Sequence, residues 1–291
     1  MHPLSQSNLE MSEADFRAIA DIAYKEAGLV FLPEKASLVR SRINRRLRKL
    51  RLNSFAEYTA FVTSDQGRDE RRTMISSLTT NISNFFREPH HFDILREKAL
   101  PALLSRARTG GRIRLWSAGC STGQEAYSMA MTLLDVAPDA ANLDIRILAT
   151  DIDPYVIATA KQGFYESKAV GGITSTLMEK YLSPAKCGSR DGYLISTEIQ
   201  NLISFRELNL LRPWPISRSF DVIFCRNVVI YFDEKTQLSL WPRFESVTTS
   251  EGWLFVGHSE RLSDKLETGF VSVGPTTYRC GSPITAHKPV E

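Results

Sequence analysis

The stretch Arg114-Leu115-Trp116-Ser117-Ala118-Gly119-Cys120-Ser121-Thr122-Gly123 limits the fold most. An apolar strand pattern runs into a turn bracketed by two glycines, and a helical pattern begins at Gln124. A strand that turns this tightly into a helix brings backbone N–H groups and a helix N-terminus close to a ligand. The surrounding pattern agrees. Short apolar runs at 113–117, 145–150, 202–205, 220–225 and 253–257 are separated by helical patterns at 124–136, 154–162 and 235–247. Such alternation predicts an α/β fold with a parallel, doubly wound sheet. Runs at 270–273 and 277–280 flank Gly274-Pro275 and predict an antiparallel pair at one sheet edge. The stretch 164–200 interrupts the alternation with a helical pattern at 175–182, a turn-rich segment at 187–192 and a strand candidate at 193–196. It reads as a small β insertion.

The first ninety residues carry a different period. Ser12-Glu13-Ala14-Asp15 has the form of a capping box; Phe16, Ile19, Ala20 and Ala23 follow at helical spacing, and Gly28 suits the stop. A second helix is expected over 36–50, with Val39, Ile43, Leu47 and Leu50 on one face. Ser54-Phe55-Ala56-Glu57 is a capping box for a third, and a fourth is expected over 69–78. A helix near 91–99 leads to Pro101, and Gly110-Gly111 marks a break. The division is therefore an all-α domain at 1–88 and an α/β domain at 89–291.

Charge separates the two. Residues 1–90 hold 14 Lys/Arg against 11 Asp/Glu and the rest holds 22 of each, so the whole net charge of +3 lies in the first third. Arg40, Arg42, Arg45, Arg46, Arg48, Lys49 and Arg51 crowd one helix. Nucleic acid is a poor partner for it, because the excess is small and no aromatic residues interleave. No apolar run approaches the roughly 20 residues that span a bilayer, and residues 1–6 lack an apolar signal core. Cys120, Cys187, Cys225 and Cys280 are scattered without CxxC spacing, which predicts reduced thiols, no metal and a cytoplasmic chain.

The glycine turn admits two chemical readings. Gly119-x-Ser121-x-Gly123 matches a hydrolase nucleophile elbow, with Asp151 or Asp153 and His258 downstream in the order Ser, Asp, His. An elbow follows several earlier strands, however, whereas this turn follows the first. Asp151 ends the next strand, where a dinucleotide-type fold places its ribose-binding carboxylate. Asp153 suits the cap of the helix starting at Pro154. No glycine stands at position 121, so a pyrophosphate would not approach as in G-x-G-x-x-G. An adenosyl amino acid has no phosphate, and S-adenosyl-L-methionine is favoured over NAD.

Further motifs stand in order along the chain. Thr80-Asn81-Ile82-Ser83-Asn84-Phe85-Phe86-Arg87 precedes the sheet, the glycine turn runs on into Gln124-Glu125, and Ala149-Thr150-Asp151-Ile152-Asp153 ends the second strand. Leu208-Asn209-Leu210-Leu211, Phe224-Cys225-Arg226-Asn227-Val228-Val229-Ile230-Tyr231-Phe232 and Gly257-His258-Ser259-Glu260 follow. Together these resemble the chemotaxis receptor glutamate methyltransferases, the CheR family, over roughly residues 12–280. The resemblance implies a Rossmann-like class I methyltransferase sheet with a small β insertion, preceded by an all-α N-terminal domain. It implies a protein-glutamate O-methyltransferase that uses S-adenosyl-L-methionine and releases S-adenosyl-L-homocysteine. Cofactor positions carry over to Asn81, Ser83, Arg87, Gly119, Glu125, Asp151, Asn209, Leu210, Arg226 and Asn227. Ser83 stands where the family has Thr and keeps the hydroxyl; Gln124-Glu125-Ala126-Tyr127 stands for Glu-Glu-Pro-Tyr and keeps one glutamate. Arg87 and Tyr231 match the residues near the transferred methyl. Arg42, Arg45, Arg46 and Arg48 match a basic face that meets the cytoplasmic helices of a methyl-accepting chemoreceptor. The chain is expected to act as a monomer without membrane insertion, and the short 187–192 loop argues against a docked receptor tail. His258, His90 and His91 are read as structural.

Overall fold

The computed structural model describes residues 9–263 and 268–281; the stretch 1–6, read above as lacking a signal core, lies outside them. Among the described residues, those up to Thr80, with Tyr231–Asp233, form one compact unit, and Asn81–Ile230 with those from Glu234 onward form another.

The first unit contains helices α1 (Glu13–Ala27), α2 (Ala36–Leu50), α3 (Phe55–Thr63) and α4 (Arg68–Leu78). The Ser12 side chain accepts the Asp15 N–H while Asp15 returns a bond to the Ser12 N–H, and Gly28 closes the helix in the left-handed region. At α3 the box is half formed: Ser54 accepts the Glu57 N–H, but the Glu57 carboxylate takes the N–H of Asn53. Ile19, Val39, Ile43, Leu47, Phe55, Tyr58 and Met74 form the core. Its one buried carboxylate among the described residues, Glu70, accepts Nε and Nη2 of Arg46 (2.9 and 2.6 Å) and the Tyr58 hydroxyl (2.8 Å). Arg42 donates to the carbonyls of Leu78 and Thr79 (2.6 and 2.9 Å), satisfying the end of α4. Arg42 and Arg46 therefore serve this unit's interior, whereas Arg40, Arg45 and Arg48 are exposed. Helical periodicity marks a basic helix but does not tell an outward arginine from one that caps a neighbour.

The second unit runs α5 (Pro89–Ile94), a π turn (Leu95–Ala99), α6 (Leu100–Arg108), β1 (Ile113–Ala118), α7 (Gln124–Val136), β2 (Ile145–Asp151), α8 (Pro154–Gln162), β3 (Phe164–Glu166), α9 (Ser175–Tyr181), β4 (Leu182–Cys187), β5 (Arg190–Ile195), α10 (Thr197–Asn201), β6 (Ile203–Glu207), β7 (Phe220–Cys225), α11 (Glu234–Ser246), β8 (Thr248–Val256), β9 (Phe270–Gly274) and β10 (Thr277–Cys280). The helical stretch continues through Pro101 to Arg108, ahead of the Gly110-Gly111 break. The turn before Pro101 widens so that the Leu100 N–H reaches the Leu95 carbonyl, and α6 continues past the proline that lacks a donor.

The main sheet has the order β6-β2-β1-β7-β8-β10-β9, with the first five strands parallel and β10 antiparallel to both neighbours. This is the Rossmann-like sheet that the resemblance implies. Leu115 pairs with Ile147 on one side and Val222 on the other. Met129, Leu133, Leu95 and Leu100 pack in the core with Leu115 and Ile147. The chain progresses from β1 to β2 and β6 on one side and returns to β7 on the other. The strand order reverses between β1 and β7, where α/β sheets bind ligands at their carboxyl ends. A separate antiparallel sheet, β3-β5-β4, forms the insertion. Its hairpin turns at Gly188-Ser189, between the paired Cys187 and Arg190. No helix of the described residues is long and apolar enough to cross a membrane. The four cysteines are free thiols.

Candidate active site

The turn after β1 is fixed from below by its neighbour strand. The N–H groups of Gly119 and Cys120 both donate to the Thr150 carbonyl at 2.8 Å. Gly119 has φ +84°, and a Cβ there would lie 2.2 Å from Val228 Cγ2, so only glycine lets β1 and the loop after β7 approach this closely. Gly123 has φ +96°, and its Cβ would meet Ala160 at 2.9 Å. Between them Ser121 is itself left-handed, and its N–H donates to Asp151 Oδ2 (2.8 Å). Its hydroxyl donates to the Asn81 carbonyl at 2.9 Å, while His258 pairs with Glu88. The Ser–His arrangement of a hydrolase is not formed.

Asp151 sits 8 % exposed at the end of β2, with the Ser121 N–H on one oxygen and the Asp153 N–H (3.0 Å) on the other. Burial outweighs these bonds and pushes its pKa up to about 6. Asp153 caps α8 through the Tyr155 N–H (2.9 Å) and accepts Asn81 Nδ2 (2.8 Å). Asn81 thus joins the loops after β1 and β2 within this unit. Ser83 is half-buried two residues on.

Arg87 stands on a turn held by aromatic anchors. Phe85 packs edge-on to Tyr165 and Phe86 edge-on to Phe92, and the Phe86 N–H donates to Ser128 Oγ (3.0 Å). Phe86 and Glu88 flank the arginine at φ +53° and +56°. Two left-handed residues without a glycine form a strained presentation, kept by the surrounding packing. The half-buried Arg87 donates Nη1 to the Ile82 carbonyl (3.2 Å).

Glu125 and Arg226 engage each other. Arg226 Nε donates to Glu125 (2.8 Å), and the other Glu125 oxygen takes the Ser117 hydroxyl (2.6 Å). Arg226 Nη1 donates to the Arg87 carbonyl (2.6 Å) and to Nδ1 of His91 (3.0 Å), with the rings of Phe92 and Phe224 at 5.3 Å. His91 is fully buried; desolvation and the adjacent guanidinium press its pKa down to about 3, so it stays neutral and turns Nε2–H to Thr276. Asn227 follows at φ +59°. Its backbone is set by Glu260, whose two oxygens accept four N–H groups, from Asn227, Val228, Val229 and Gly257, at 2.6–2.9 Å. Glu88 joins the ends of β7 and β8 by accepting Asn227 Nδ2 (3.4 Å), the His258 N–H (3.1 Å) and the His258 ring (2.9 Å). Sequence reasoning assigned no role to Glu88 or Glu260, although Glu260 lies in a motif it singled out. Most of their partners lie in the loops after β7 and β8, far away in the chain, and no periodicity reports them.

Asn209 and Leu210 follow β6. The Leu208 N–H donates to the Asp151 carbonyl (2.9 Å), which places this loop beside the end of β2. Tyr231 belongs to the first unit, where its carbonyl accepts the Val30 N–H (2.9 Å) and its hydroxyl lies 3.5 Å from the Thr80 carbonyl. The loops at the carboxyl ends of β1, β2, β6 and β7 therefore provide a glycine floor, a buried carboxylate and the N-terminus of α7. Such a set fits an adenosyl amino acid: the carboxylate suits ribose hydroxyls, and nothing demands a phosphate.

Comparison with known proteins agrees. Residues 14–79 match the model of the CheR methyltransferase all-alpha domain, and residues 81–279 match that of the CheR methyltransferase SAM binding domain. A probable chemotaxis protein methyltransferase of Rhizobium etli is 46% identical over 256 residues, 88% of this chain and 96% of that one. The chemotaxis protein methyltransferase of Escherichia coli is 39% identical over 272 residues (93% and 92%), and chemotaxis protein methyltransferase 2 of Pseudomonas aeruginosa 38% over 265 (91% and 92%). This chain is an S-adenosylmethionine-dependent methyltransferase and belongs to the CheR family.

Proposed function

We propose that this methyltransferase acts in the cytoplasm, as a monomer, on glutamate side chains in the cytoplasmic helices of methyl-accepting chemoreceptors, giving glutamyl methyl esters. The observation that carries the reading is the presentation of Arg87 on a strained turn against Arg226, beside the switch point of the sheet. When bound, S-adenosylmethionine supplies an electrophilic methyl group on a sulfonium. A glutamate carboxylate, with an ordinary pKa of about 4.3, is ionised at neutral pH and needs no base. Binding and orientation are then the protein's main tasks. Arg87 holds the incoming carboxylate by charge-assisted bonds. Tyr231, assigned on the family resemblance, fixes the carboxylate or the methionine end through its hydroxyl.

For the cofactor, Asp151 takes the ribose hydroxyls, Gly119 forms the floor, and Asn209 and Leu210 wall the adenine. The Glu125–Arg226 pair with Asn227, Asn81 and Ser83 lines the remainder. The exposed Arg45 and Arg48 of α2 steer an acidic receptor surface; Arg42 and Arg46 support the helix that carries them. The test is kinetic. Arg87→Ala and Tyr231→Phe should lower turnover on receptor fragments by more than tenfold while S-adenosylhomocysteine binding falls much less for Tyr231→Phe. Full activity in both variants would remove these roles.

A further inference from the structure

The connection from β6 to β7 spans residues 208–219 and crosses the ends of β2 and β1 without a helix. Parallel strands are usually joined through a helix, whose ladder satisfies its own carbonyls and whose apolar side covers the sheet. Here two residues supply both functions. Trp214 covers the sheet face: its ring lies edge-on 5.0 Å from the fully buried Trp116 of β1 and 5.0 Å from Phe244 of α11. Arg243 of α11 satisfies the carbonyls. Its Nη1 donates to Leu210 (2.6 Å) and its Nη2 to Arg212 (2.5 Å), while its guanidinium lies 4.2 Å over the Trp214 ring. The Trp214 indole N–H donates to the same Leu210 carbonyl (3.0 Å).

The other end of this stretch is fixed as well, because the Leu208 N–H donates to the Asp151 carbonyl. Asn209 and Leu210 are therefore held between the strand that carries the ribose carboxylate and a clamp on α11. We propose that Arg243, with Trp214, is a positioning residue for the nucleoside half of the cofactor: it sets the Asn209–Leu210 backbone without touching the ligand. The inference rests on the assignment of Asn209 and Leu210 to the adenine wall. Lysine cannot replace Arg243 fully, since a point-like ammonium neither forks over two carbonyls nor stacks on an indole.

The experiment compares wild type, Arg243→Met, Arg243→Lys and Asn209→Ala in the full chain. Calorimetry reads the affinity for S-adenosylhomocysteine and, by competition, for 5′-methylthioadenosine, which keeps the nucleoside and lacks the amino-acid end. Arg243→Met should weaken both ligands by a similar factor, about tenfold for two lost charged bonds. KM for the cofactor should rise in step, with saturated turnover within about threefold of wild type, the mark of lost uniform binding. Arg243→Lys should fall between, and it carries the same comparison if the methionine variant does not fold. Unchanged affinities, a loss confined to S-adenosylhomocysteine, or lower turnover at unchanged KM overturns the proposal. If Asn209→Ala binds as wild type does, the adenine assignment falls and the proposal with it. If Asn209→Ala is impaired and Arg243→Met is not, the clamp alone is wrong.

Discussion

Asp151 should make cofactor affinity pH-dependent in a range where most carboxylates are already ionised. Its pKa is pushed up to about 6 because burial costs more than the Ser121 and Asp153 N–H bonds return. If the ionised form is the acceptor for ribose hydroxyls, the apparent dissociation constant should scale as the inverse of the ionised fraction. Relative to pH 8, it should rise about twofold at pH 6 and about tenfold at pH 5. Asp151→Asn should be weaker at pH 8 by about 10- to 100-fold, for loss of a charge-assisted bond, and should lose the pH slope. The stability sign is opposite. A carboxyl whose folded pKa lies above its ordinary 3.8 destabilises the fold when ionised, by the order of 3 kcal/mol here. That cost recedes as pH falls through 6 toward 4. His91, held neutral with a pKa of about 3, works the other way: stability is lost as pH falls below the ordinary histidine value. The comparison of wild type with Asp151→Asn cancels His91. Calorimetric titration of S-adenosylhomocysteine from pH 8 to pH 5 at constant ionic strength measures the effect. A flat wild-type profile, or the same slope in Asp151→Asn, would refute the role of the ionised carboxylate.

Gly119→Ala should cost about 1–2 kcal/mol for its left-handed backbone alone and displace Val228, whose methyl lies 2.2 Å from the new Cβ; S-adenosylhomocysteine affinity should fall more than tenfold by calorimetry. Glu260→Gln turns an amide NH2 against two of the four N–H donors the carboxylate now satisfies, so urea denaturation should show a loss of about 2–4 kcal/mol. Arg45→Glu with Arg48→Glu should reduce methylation of receptor membranes several-fold at low salt, less at high salt, with cofactor affinity unchanged. Arg46→Glu should instead lower the melting temperature, because it leaves Glu70 buried opposite a like charge.

Local chemistry made much of this fold legible. The two glycines announced the turn after β1, Ser12 and Gly28 bracketed α1, and Asp153 was recognisable as the α8 cap. Strands β3 and β4 were not legible. β4 is largely exposed and holds Ser183, Pro184 and Lys186, so neither an apolar run nor alternation marks it; Pro184 is tolerated because β4 is an edge strand. The π turn before Pro101 was not legible, because the apolar spacing of 91–99 reads as an ordinary helix. At the site, position in the fold pointed to Asp151 and only the family resemblance pointed to Arg87, while the mutual engagement of Glu125 and Arg226, the four-donor role of Glu260 and the Glu88 bridge join residues far apart in the chain. Such pairings come from topology.

Methyl transfer to a receptor fragment, followed by alkaline hydrolysis and peptide mapping, tests the central claim most directly. Methyl-labelled S-adenosylmethionine and a chemoreceptor cytoplasmic fragment should yield base-labile label on glutamate side chains, and Arg87→Ala should lower its rate more than tenfold. Label that survives alkali, label on nitrogen, or an Arg87→Ala rate equal to wild type would contradict carboxylate methylation oriented by Arg87.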